Sequence, residues 1–345
     1  MTTATVPLIE VKGAARDRGT AVGSLYRDRI RATWRFYADT VFASSKLGAA
    51  EITARAERVR GLVGDFKVDY CDEIDAVADA AGLARWELHA LNARTEILNA
   101  KVGECTAVYL PATRTLGQTW DWLEALEAWV ALTHYTYPSG LRILTLAEPG
   151  QLGKIGLNSA GLGMCLNFLV APHALEGLPV HVLVRAVLEC TTLDEVRALF
   201  ARAGFGKSSH YLVADADGRA LSYEFAGTRT GECAPVDGVY AHTNHCIAAQ
   251  RDPDGYVVPT SPERLAAARR GAAAADGPDG VAALKQVLEF DDGTPAAIRV
   301  RYRPEALLGG GNVGSCATVV MDLPGRTMHV RKGPYADRPF VVHHV

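Results

Sequence analysis

Residues 104–122, ECTAVYLPATRTLGQTWDW, mark the point where the hydrophobic pattern of this chain changes from helical to extended. Before this stretch, residues 14–100 carry apolar residues at three- and four-residue spacing, which is typical of amphipathic helices. From Cys105 onward, CTAVYL and TLGQTWDW predict two strands that are joined by a turn containing Pro111. Cys105 therefore stands at the boundary between a helical part of the chain and a part that is rich in strands.

The remaining strands and helices follow one another in blocks. Residues 178–204 predict a helical hairpin in which Thr192 is the N-cap and Glu195 its capping-box partner. Further strands are predicted within 129–137, 141–148, 153–169, 210–227, 238–246 and 316–333, and two Ala-rich helices within 261–275 and 279–290. Segregated blocks favour an α+β arrangement of layers over a doubly wound parallel sheet. No strand-to-helix turn carries a glycine-rich nucleotide-binding pattern.

The composition argues against several classes of function. The chain has 345 residues, of which 48% are hydrophobic and 22% charged, with a net charge of −3 and a pI near 6.4. The charges are mixed along the chain, so we expect neither a nucleic-acid partner nor an anionic membrane partner. The N-terminus lacks a secretory pattern, and no run approaches the roughly 20 apolar residues of a membrane span.

The seven cysteines are odd in number, irregularly spaced and free of any C-x-x-C pair. This argues against a disulfide framework and a thiolate zinc site, and it favours a reducing cytoplasm as the location. A metal site formed by His242, His245 and Cys246 is disfavoured, because adjacent residues of a strand point to opposite faces. We therefore predict no metal site and expect most thiols to be small core residues.

Taken alone, each candidate site residue has a structural explanation. Cys105 has no histidine in a motif that points to it and is typical of a buried structural thiol. Asp121 resembles a turn or capping residue at a strand end, and Asn244 resembles a loop residue. A papain-like Cys–His amidase that uses His242 or His245 is an alternative.

Six segments in a fixed order favour a different interpretation. They are GAARDRGTAVGSLYRDRI, ALNARTEI, CTAVYLP with GQTWDW, GKIGLNSAGLGMCLN, HTNHC and TVVMDLPGRTMHVRKGP. With Cys105 in place, this order resembles the autoproteolytic acyltransferase and amidohydrolase family of the N-terminal nucleophile (Ntn) hydrolases that includes acyl-coenzyme A:isopenicillin N acyltransferase. One departure is Glu104, since the penicillin enzyme has glycine before the cysteine.

The resemblance implies a four-layer αββα sandwich, in which two largely antiparallel sheets lie between helical layers. It also implies self-cleavage between Glu104 and Cys105. Residues 1–104 would then form a mainly helical chain that stays bound to the catalytic chain 105–345, and both would belong to one domain. The freed α-amine of Cys105 titrates near ~7.7 to 8.0 in model compounds and can serve as a general base.

The resemblance also assigns roles to residues around the cysteine. Asp121 would orient the amine of Cys105, and Asn244 would donate to the oxyanion, an interaction worth ~2.7 to 4 kcal/mol of barrier. Candidates for lining the substrate site are Trp120, Asn158, Ser159 and Ser315. For the segment with Asn158 and Ser159, an alternative is that its small residues let two sheets approach. Trp122 and Trp129 could complete an apolar acyl wall, although Trp129 is better explained as a core residue.

We therefore expect an enzyme that hydrolyses or transfers an acyl group at an amide bond of a small molecule through a thioester on Cys105. We expect no cofactor, although a coenzyme A thioester is a candidate co-substrate. The expected partners are the amide or acyl donor and the other cleaved chain, and an oligomer is compatible with the sequence. The alternative from a different class is an uncleaved, non-catalytic relative that binds a small ligand with a blocked thiol.

Overall fold

The computed structural model describes residues 4–98, 104–170, 177–249, 257–275, 277–305 and 311–345, with Glu104 described by its backbone alone. Its helices in chain order are α1 Ala15–Leu25, α2 Arg27–Phe36, a π-helical turn Tyr37–Phe42, α3 Ala49–Phe66, α4 Val68–Ala81, α5 Arg85–Asn92, α6 Arg94–Leu98, α7 Glu124–Glu127, α8 Val180–Glu189, α9 Leu193–Arg202, α10 Ser261–Ala273 and α11 Gly280–Leu288. None of these helices is long and apolar enough to cross a membrane.

The strands form two sheets. Sheet A has the order β1-β4-β5-β6-β7-β8-β9-β10, and its strands are β1 Leu8–Lys12, β4 Ala131–Thr136, β5 Arg142–Ala147, β6 Ile155–Asn158, β7 Gly163–Phe168, β8 Ser209–Ala214, β9 Ala220–Ala226 and β10 Arg229–Glu232. Sheet B has the order β11-β2-β3-β13-β14-β15, with β12 also on β13, and its strands are β2 Glu104–Leu110, β3 Thr115–Leu123, β11 Tyr240–His242, β12 Arg303–Pro304, β13 Asn312–Asp322, β14 Thr327–Lys332 and β15 Val341–His344. All pairs within the described strands are antiparallel except β1 with β4.

The two sheets pack face to face between helical layers. Helices α10 and α11 cover the outer face of sheet B, and α8 covers β6 and β7 on the outer face of sheet A. Strand β3 is buried along its whole length because it is covered by α11 on one face and by sheet A on the other. The prediction of an α+β fold with two largely antiparallel sheets between helices is therefore confirmed.

A pair of hydrogen bonds from one side chain joins the two sheets at the centre of this packing. The amide of Gln118 on β3 donates through Nε2 to the carbonyl oxygen of Leu166 on β7 at 2.6 Å. It also accepts through Oε1 from the Leu166 N–H at 2.8 Å. Gln118 is fully buried, so this pairing satisfies its polar atoms where water has no access.

Helix α1 packs against α4 at a distance that only glycine allows. Gly19 and Gly23 are four residues apart and therefore lie on one face of α1. A Cβ atom at Gly19 would lie 2.3 Å from the backbone oxygen of Glu73, and one at Gly23 would lie 2.5 Å from that of Val77. These obstacles are backbone atoms that cannot rotate away, so any side chain would push the two helices apart.

Buried ion pairs connect the helical layer to sheet A. Glu73 on α4 accepts hydrogen bonds from Arg18 on α1 and from Arg185 on α8. Arg94 on α6 donates to both oxygens of Glu148, which follows β5, at 2.8 and 3.1 Å. All five side chains are at most 4% exposed. Removing one partner of such a pair leaves a buried charge, which typically costs about 3–5 kcal/mol.

The sequence pattern did not indicate the first strand. Residues 8–12, LIEVK, lie before the first helix, and of these only Val11 is buried. Strand β1 nevertheless pairs in parallel with β4, with Leu8 opposite Leu132. A short edge strand with one buried residue has too weak an alternation to be recognised from sequence.

We predict opposite effects for two Gly→Ala substitutions in helices. Gly23→Ala should lower the free energy of unfolding by about 1–3 kcal/mol, because its Cβ meets the backbone of α4. Gly61→Ala in α3, where an added Cβ meets nothing within 4 Å, should raise this free energy by about 0.5–1 kcal/mol. Urea unfolding followed by circular dichroism measures both. A Gly23→Ala protein as stable as Gly61→Ala would show that α1 and α4 are not in close contact.

Candidate active site

Cys105 lies near the start of β2 with its side chain between the two sheets. Cys105, Ala107 and Tyr109 pack into the core that sheet B shares with sheet A. Val108 and Leu110 pack instead into the cluster under α10 and α11. This alternation follows from the two-residue period of a strand, and it directs the thiol toward sheet A.

The carboxamide of Asn244 holds the backbone nitrogen of Cys105. Strand β11 ends where His242 pairs with Ala107, and two further residues in the same register bring Asn244 opposite Cys105. The Asn244 Oδ1 accepts a hydrogen bond from the Cys105 N–H at 2.9 Å. One proton of the Asn244 Nδ2 is donated to the carbonyl oxygen of Phe168 at 3.0 Å. The side chain therefore supplies the acceptor that a longer β11 would supply from its backbone.

Two buried side chains that the sequence did not single out hold the carbonyl of Cys105. Arg264 on α10 donates through NH1 to the Cys105 oxygen at 3.0 Å and through NH2 to the Asn244 Oδ1 at 2.8 Å. Asn167 on β7 donates to the same Cys105 oxygen at 3.1 Å. Asn167 belongs to a segment that drew attention for its small residues. Arg264 sits in an Ala-rich helix whose pattern gives no sign of a buried cation.

Asp121 and Ser315 meet beside the start of β2. Asp121 on β3 stands opposite both Glu104 on β2 and Ser315 on β13 in the strand register. The Ser315 hydroxyl donates to the Asp121 Oδ1 at 2.6 Å and accepts from the Val300 N–H at 3.0 Å. Both side chains are fully buried. The carboxylate predicted to serve Cys105 is thus fixed by a hydroxyl from the neighbouring strand.

A cavity with about 570 Å³ of empty space, part of it open to solvent, lies over the thiol. Its apolar walls include Trp120 and Trp122, so two of the three tryptophans considered for an acyl wall line it. The full lining is Arg94, Thr95, Leu98, Cys105, Trp120, Asp121, Trp122, Lys154, Leu166, Phe168, Val180, His181 and Ser209. The indole N–H of Trp122 donates to the Tyr37 hydroxyl at 2.9 Å, which fixes the orientation of this wall.

The thiol of Cys105 is protonated at neutral pH in the intact chain. Burial, assisted by the charge of Asp121, raises the pKa of the Cys105 thiol to about 11, and the charge of Lys154 acts in the opposite direction. A thiol with such a pKa is a poor nucleophile until a base removes its proton.

The structure does not bring Asn158 and Ser159 to this cavity. The Asn158 amide donates to two backbone carbonyls at the end of α8, Leu188 and Cys190, and its oxygen accepts N–H groups of the following turn. The Ser159 hydroxyl accepts from the Arg142 N–H at 3.1 Å. The Asn158 side chain thus organises the β6–β7 turn, and the Ser159 hydroxyl joins that turn to the start of β5. Trp129 packs against the ring of Phe36 and does not line the cavity either.

The two histidines of the papain-like alternative do not line the cavity. The His242 Nε2 bonds to the Glu224 carboxylate at 2.6 Å. The His245 Nδ1 bonds to the Ser261 hydroxyl at 2.7 Å, and burial lowers the pKa of His245 to about 4. Both imidazoles are therefore hydrogen-bonded to side chains that do not line the cavity, Glu224 and Ser261.

One group of possible metal ligands lies behind the site. His210, Cys233 and His242 place potential ligand atoms within 4.8 Å of one another. The two imidazole rings stack at 3.6 Å with an angle of 9° between their planes. Two ligands of a tetrahedral ion spread apart from the metal, so stacked parallel rings fit poorly with zinc coordination. The His210 Nε2 bonds instead to the Ser222 hydroxyl at 2.8 Å.

Comparisons with known proteins agree with the resemblance in the sequence. The family model described as acyl-coenzyme A:6-aminopenicillanic acid acyl-transferase matches residues 110–302. A protein of Emericella nidulans, the acyl-coenzyme A:6-aminopenicillanic-acid-acyltransferase 40 kDa form, is 27% identical over 336 residues, which cover 94% of this chain and 92% of that protein.

Solved structures with a partial likeness include two hydrolases. A mutant of the conjugated bile acid hydrolase from Clostridium perfringens aligns with a TM-score of 0.48 and 11% identity over 71% of this chain and 92% of that chain. The penicillin V acylase from Agrobacterium tumefaciens aligns with a TM-score of 0.41 and 14% identity over 69% of this chain and 84% of that chain.

The family match extends over more than half of the chain and includes Asp121 and Asn244. The chain therefore belongs to the acyl-coenzyme A:6-aminopenicillanic acid acyl-transferase family.

Proposed function

We propose that this protein is a self-cleaving Ntn enzyme that hydrolyses or transfers the acyl group of a small-molecule amide through a thioester on Cys105. The observation that carries the proposal is the convergence of Asn244 and Arg264 on the backbone of Cys105, next to a cavity with apolar walls. A structural thiol does not need its own N–H and C=O to be held by buried side chains from two other elements.

Self-cleavage would use the contacts that surround the Glu104–Cys105 bond. The Cys105 sulfur would attack the Glu104 carbonyl, and the Cys105 nitrogen would leave as an amine. That nitrogen is the atom whose N–H already bonds to the Asn244 Oδ1 at 2.9 Å. Because Arg264 and Asn167 fix the next carbonyl, the departing amine would stay in place. The residue would then carry both the nucleophile and its base.

Turnover would begin from this new N-terminus. The α-amine would take the thiol proton as the sulfur attacks the substrate carbonyl, and it would return a proton to the leaving amine. The second proton of the Asn244 Nδ2 would donate to the oxyanion, while Asp121, fixed by Ser315, would orient the ammonium form. Trp120 and Trp122 would hold an apolar acyl group.

The two chains would remain bound after cleavage. Strand β1, from the N-terminal chain, completes the edge of sheet A against β4. The pairs Arg94–Glu148 and Glu73–Arg185 each join a residue of 1–104 to one of 105–345 in the buried interior. Separation would open to water the apolar core that residues 1–104 share with residues 105–345, which is costly.

Water and a second amine are both candidate acceptors of the acyl group. The name of the Emericella nidulans relative specifies acyl-coenzyme A and an amine acceptor. We therefore propose a coenzyme A thioester as an alternative acyl donor to the amide. Assays of the purified protein with N-acyl amino acids, β-alanyl amides and acyl-thioesters, each with and without an added amine, would separate hydrolysis from transfer.

We predict that the wild-type protein yields two chains, residues 1–104 and 105–345, with the second beginning Cys-Thr-Ala. Intact-mass spectrometry and N-terminal sequencing measure this. Cys105→Ala should remain a single inactive chain, because it lacks the sulfur that attacks Glu104. Cys71→Ala, which removes a half-buried thiol from α4, is the matched control and should cleave as the wild type does. A wild type that stays intact, together with an active Cys105→Ala protein, would refute the proposal.

We predict that Asn244→Asp lowers kcat by about 100- to 1,000-fold with a small change in KM, because it removes one oxyanion donor. The new carboxylate keeps the acceptor oxygen beside Arg264 but loses the hydrogen bond to the Phe168 carbonyl, so thermal unfolding is measured to separate a loss of stability from a loss of catalysis. The same substitution should slow self-cleavage, which passes through an oxyanion too. Steady-state kinetics and thermal unfolding test this, and activity within threefold of wild type would exclude Asn244 from the oxyanion site.

A further inference from the structure

Lys154 is a buried lysine that faces the cavity next to Cys105. It precedes β6, is 8% exposed and lines the cavity. Its Nζ lies 4.5 Å from the ring centroid of Trp120. Among the residues that the structure describes, the ammonium makes no hydrogen bond or ion pair, and it lies over the face of the Trp120 ring. Burying a cation without a partner is costly, so this arrangement calls for a functional explanation.

The carboxylates around Lys154 are bonded to other groups. The Glu148 carboxylate accepts hydrogen bonds from the Nε and NH2 groups of Arg94, and it also accepts from the Tyr37 hydroxyl at 2.8 Å. Asp121 accepts from the Ser315 hydroxyl through Oδ1 at 2.6 Å. Lys154 therefore has no ion-pair partner in the described interior, and its neutral amine form is favoured by its surroundings.

Cys105 is the protonated group that shares the cavity with Lys154. Trp120 and Cys105 are register partners on adjacent strands, so their side chains share one face with Cβ atoms about 4.5–5.5 Å apart. Lys154 stacks on that Trp120 and lines the same cavity as the thiol. A third polar group completes the surroundings: the His181 Nδ1 bonds to the Gly153 carbonyl at 3.0 Å, and its Nε2 has no partner in the described chain. Lysine, thiol and imidazole thus line one cavity.

Resting on the self-cleavage proposed above, we infer that Lys154 is the base that takes the thiol proton of Cys105 in the uncleaved chain. The need for such a group is chemical. The α-amine that would serve the mature enzyme is still the nitrogen of the Glu104–Cys105 peptide bond, where it has no basic lone pair. The first cleavage therefore requires a base from elsewhere, and Lys154 is the amine that shares the cavity.

The step balances as follows. The neutral Lys154 amine accepts the proton from the Cys105 sulfur, directly or through one water, and becomes an ammonium. The thiolate forms a bond to the Glu104 carbonyl carbon, and the bond from that carbon to the Cys105 nitrogen breaks. The ammonium returns its proton to the departing nitrogen. Water then hydrolyses the thioester, which leaves a Glu104 carboxylate and a free Cys105 thiol beside its own amine.

The pH dependence of cleavage follows from these surroundings. Burial, assisted by the charge of Arg94, lowers the pKa of Lys154 to about 8, whereas Glu148, Cys105 and Cys316 act in the opposite direction. Since a base must be neutral to accept a proton, the neutral fraction and the cleavage rate should rise as pH approaches 8 and level off above it. The charged and titratable groups that surround Lys154 are Arg94 on α6, Cys105 on β2, Asp121 on β3, Glu148 after β5, His181 on α8 and Cys316 on β13.

Cell-free synthesis tests the inference, because every chain starts intact. Translation is stopped after a short labelling pulse, the sample is diluted into buffers from pH 6 to 9.5, and gels with intact-mass spectra follow cleavage. Lys154→Met should cleave about 100-fold more slowly at pH 7.5 or worse, with a rate that still rises above pH 9. Lys154→Arg keeps the cation but cannot act as a base, so it should be equally slow. Lys207→Met removes another buried lysine that stacks on a ring, Phe168, and should match the wild type.

The outcomes separate the two levels of the proposal. Lysine variants that cleave within threefold of wild type, with the same pH profile, overturn the role of Lys154 alone. Normal cleavage by Lys154→Arg but not by Lys154→Met would show that the charge acts rather than the base, which also overturns it. A wild-type chain that never cleaves removes both the self-cleavage and its base. Thermal unfolding of each variant confirms that a slow rate does not reflect a misfolded chain.

Discussion

The hydrogen bond from the Cys105 N–H to the Asn244 side chain is the contact on which the rest of the site depends. Strand β11 stops two residues short of Cys105, so the edge of β2 would carry an unsatisfied buried N–H at this point. The amide of Asn244 fills the gap, and Arg264 holds both the amide oxygen and the Cys105 carbonyl. A strand backbone in the same place could accept the Cys105 N–H, but it would lack the second amide proton that the Asn244 Nδ2 carries.

The layered fold places unlike groups on the two sides of Cys105. Its side chain faces sheet A and the cavity, whereas the next residue, Thr106, faces α10 and bonds to Arg264 at 3.0 Å. One strand therefore turns the Cys105 thiol toward the cavity and the Thr106 hydroxyl toward the helical layer. Gln118 lies two residues before Trp120 on the same face of β3. Its two hydrogen bonds to the Leu166 backbone fix the distance between the sheets beside the cavity.

Local patterns predicted the elements well and the site in part. The change of period at Cys105, the helical hairpin and its cap at Thr192, whose hydroxyl accepts the Glu195 N–H, all follow from short-range chemistry. The order of motifs pointed to Cys105, Asp121, Asn244 and Ser315. The structure brings Asn244 to the Cys105 backbone and Ser315 to the Asp121 carboxylate, although neither Asn244 nor Ser315 lines the cavity. Arg264 and Lys154 could not be predicted, because their importance comes from burial by distant elements. The resemblance predicts Asn158 and Ser159 at the cavity because their strand lies beside the site. Their side chains instead form hydrogen bonds within the following turn and to the start of β5.

The parallel pairing of β1 with β4 gives the N-terminal segment a protective task. Strand β4, Ala131–Thr136, lies in residues 105–345 and would be the end of sheet A without its partner. An open strand edge with buried apolar residues is a template for association with other chains. Residues 105–345 without residues 1–104 would thus carry an uncovered sheet edge. The N-terminal segment covers this strand edge and so protects it from association with other chains as long as it remains bound.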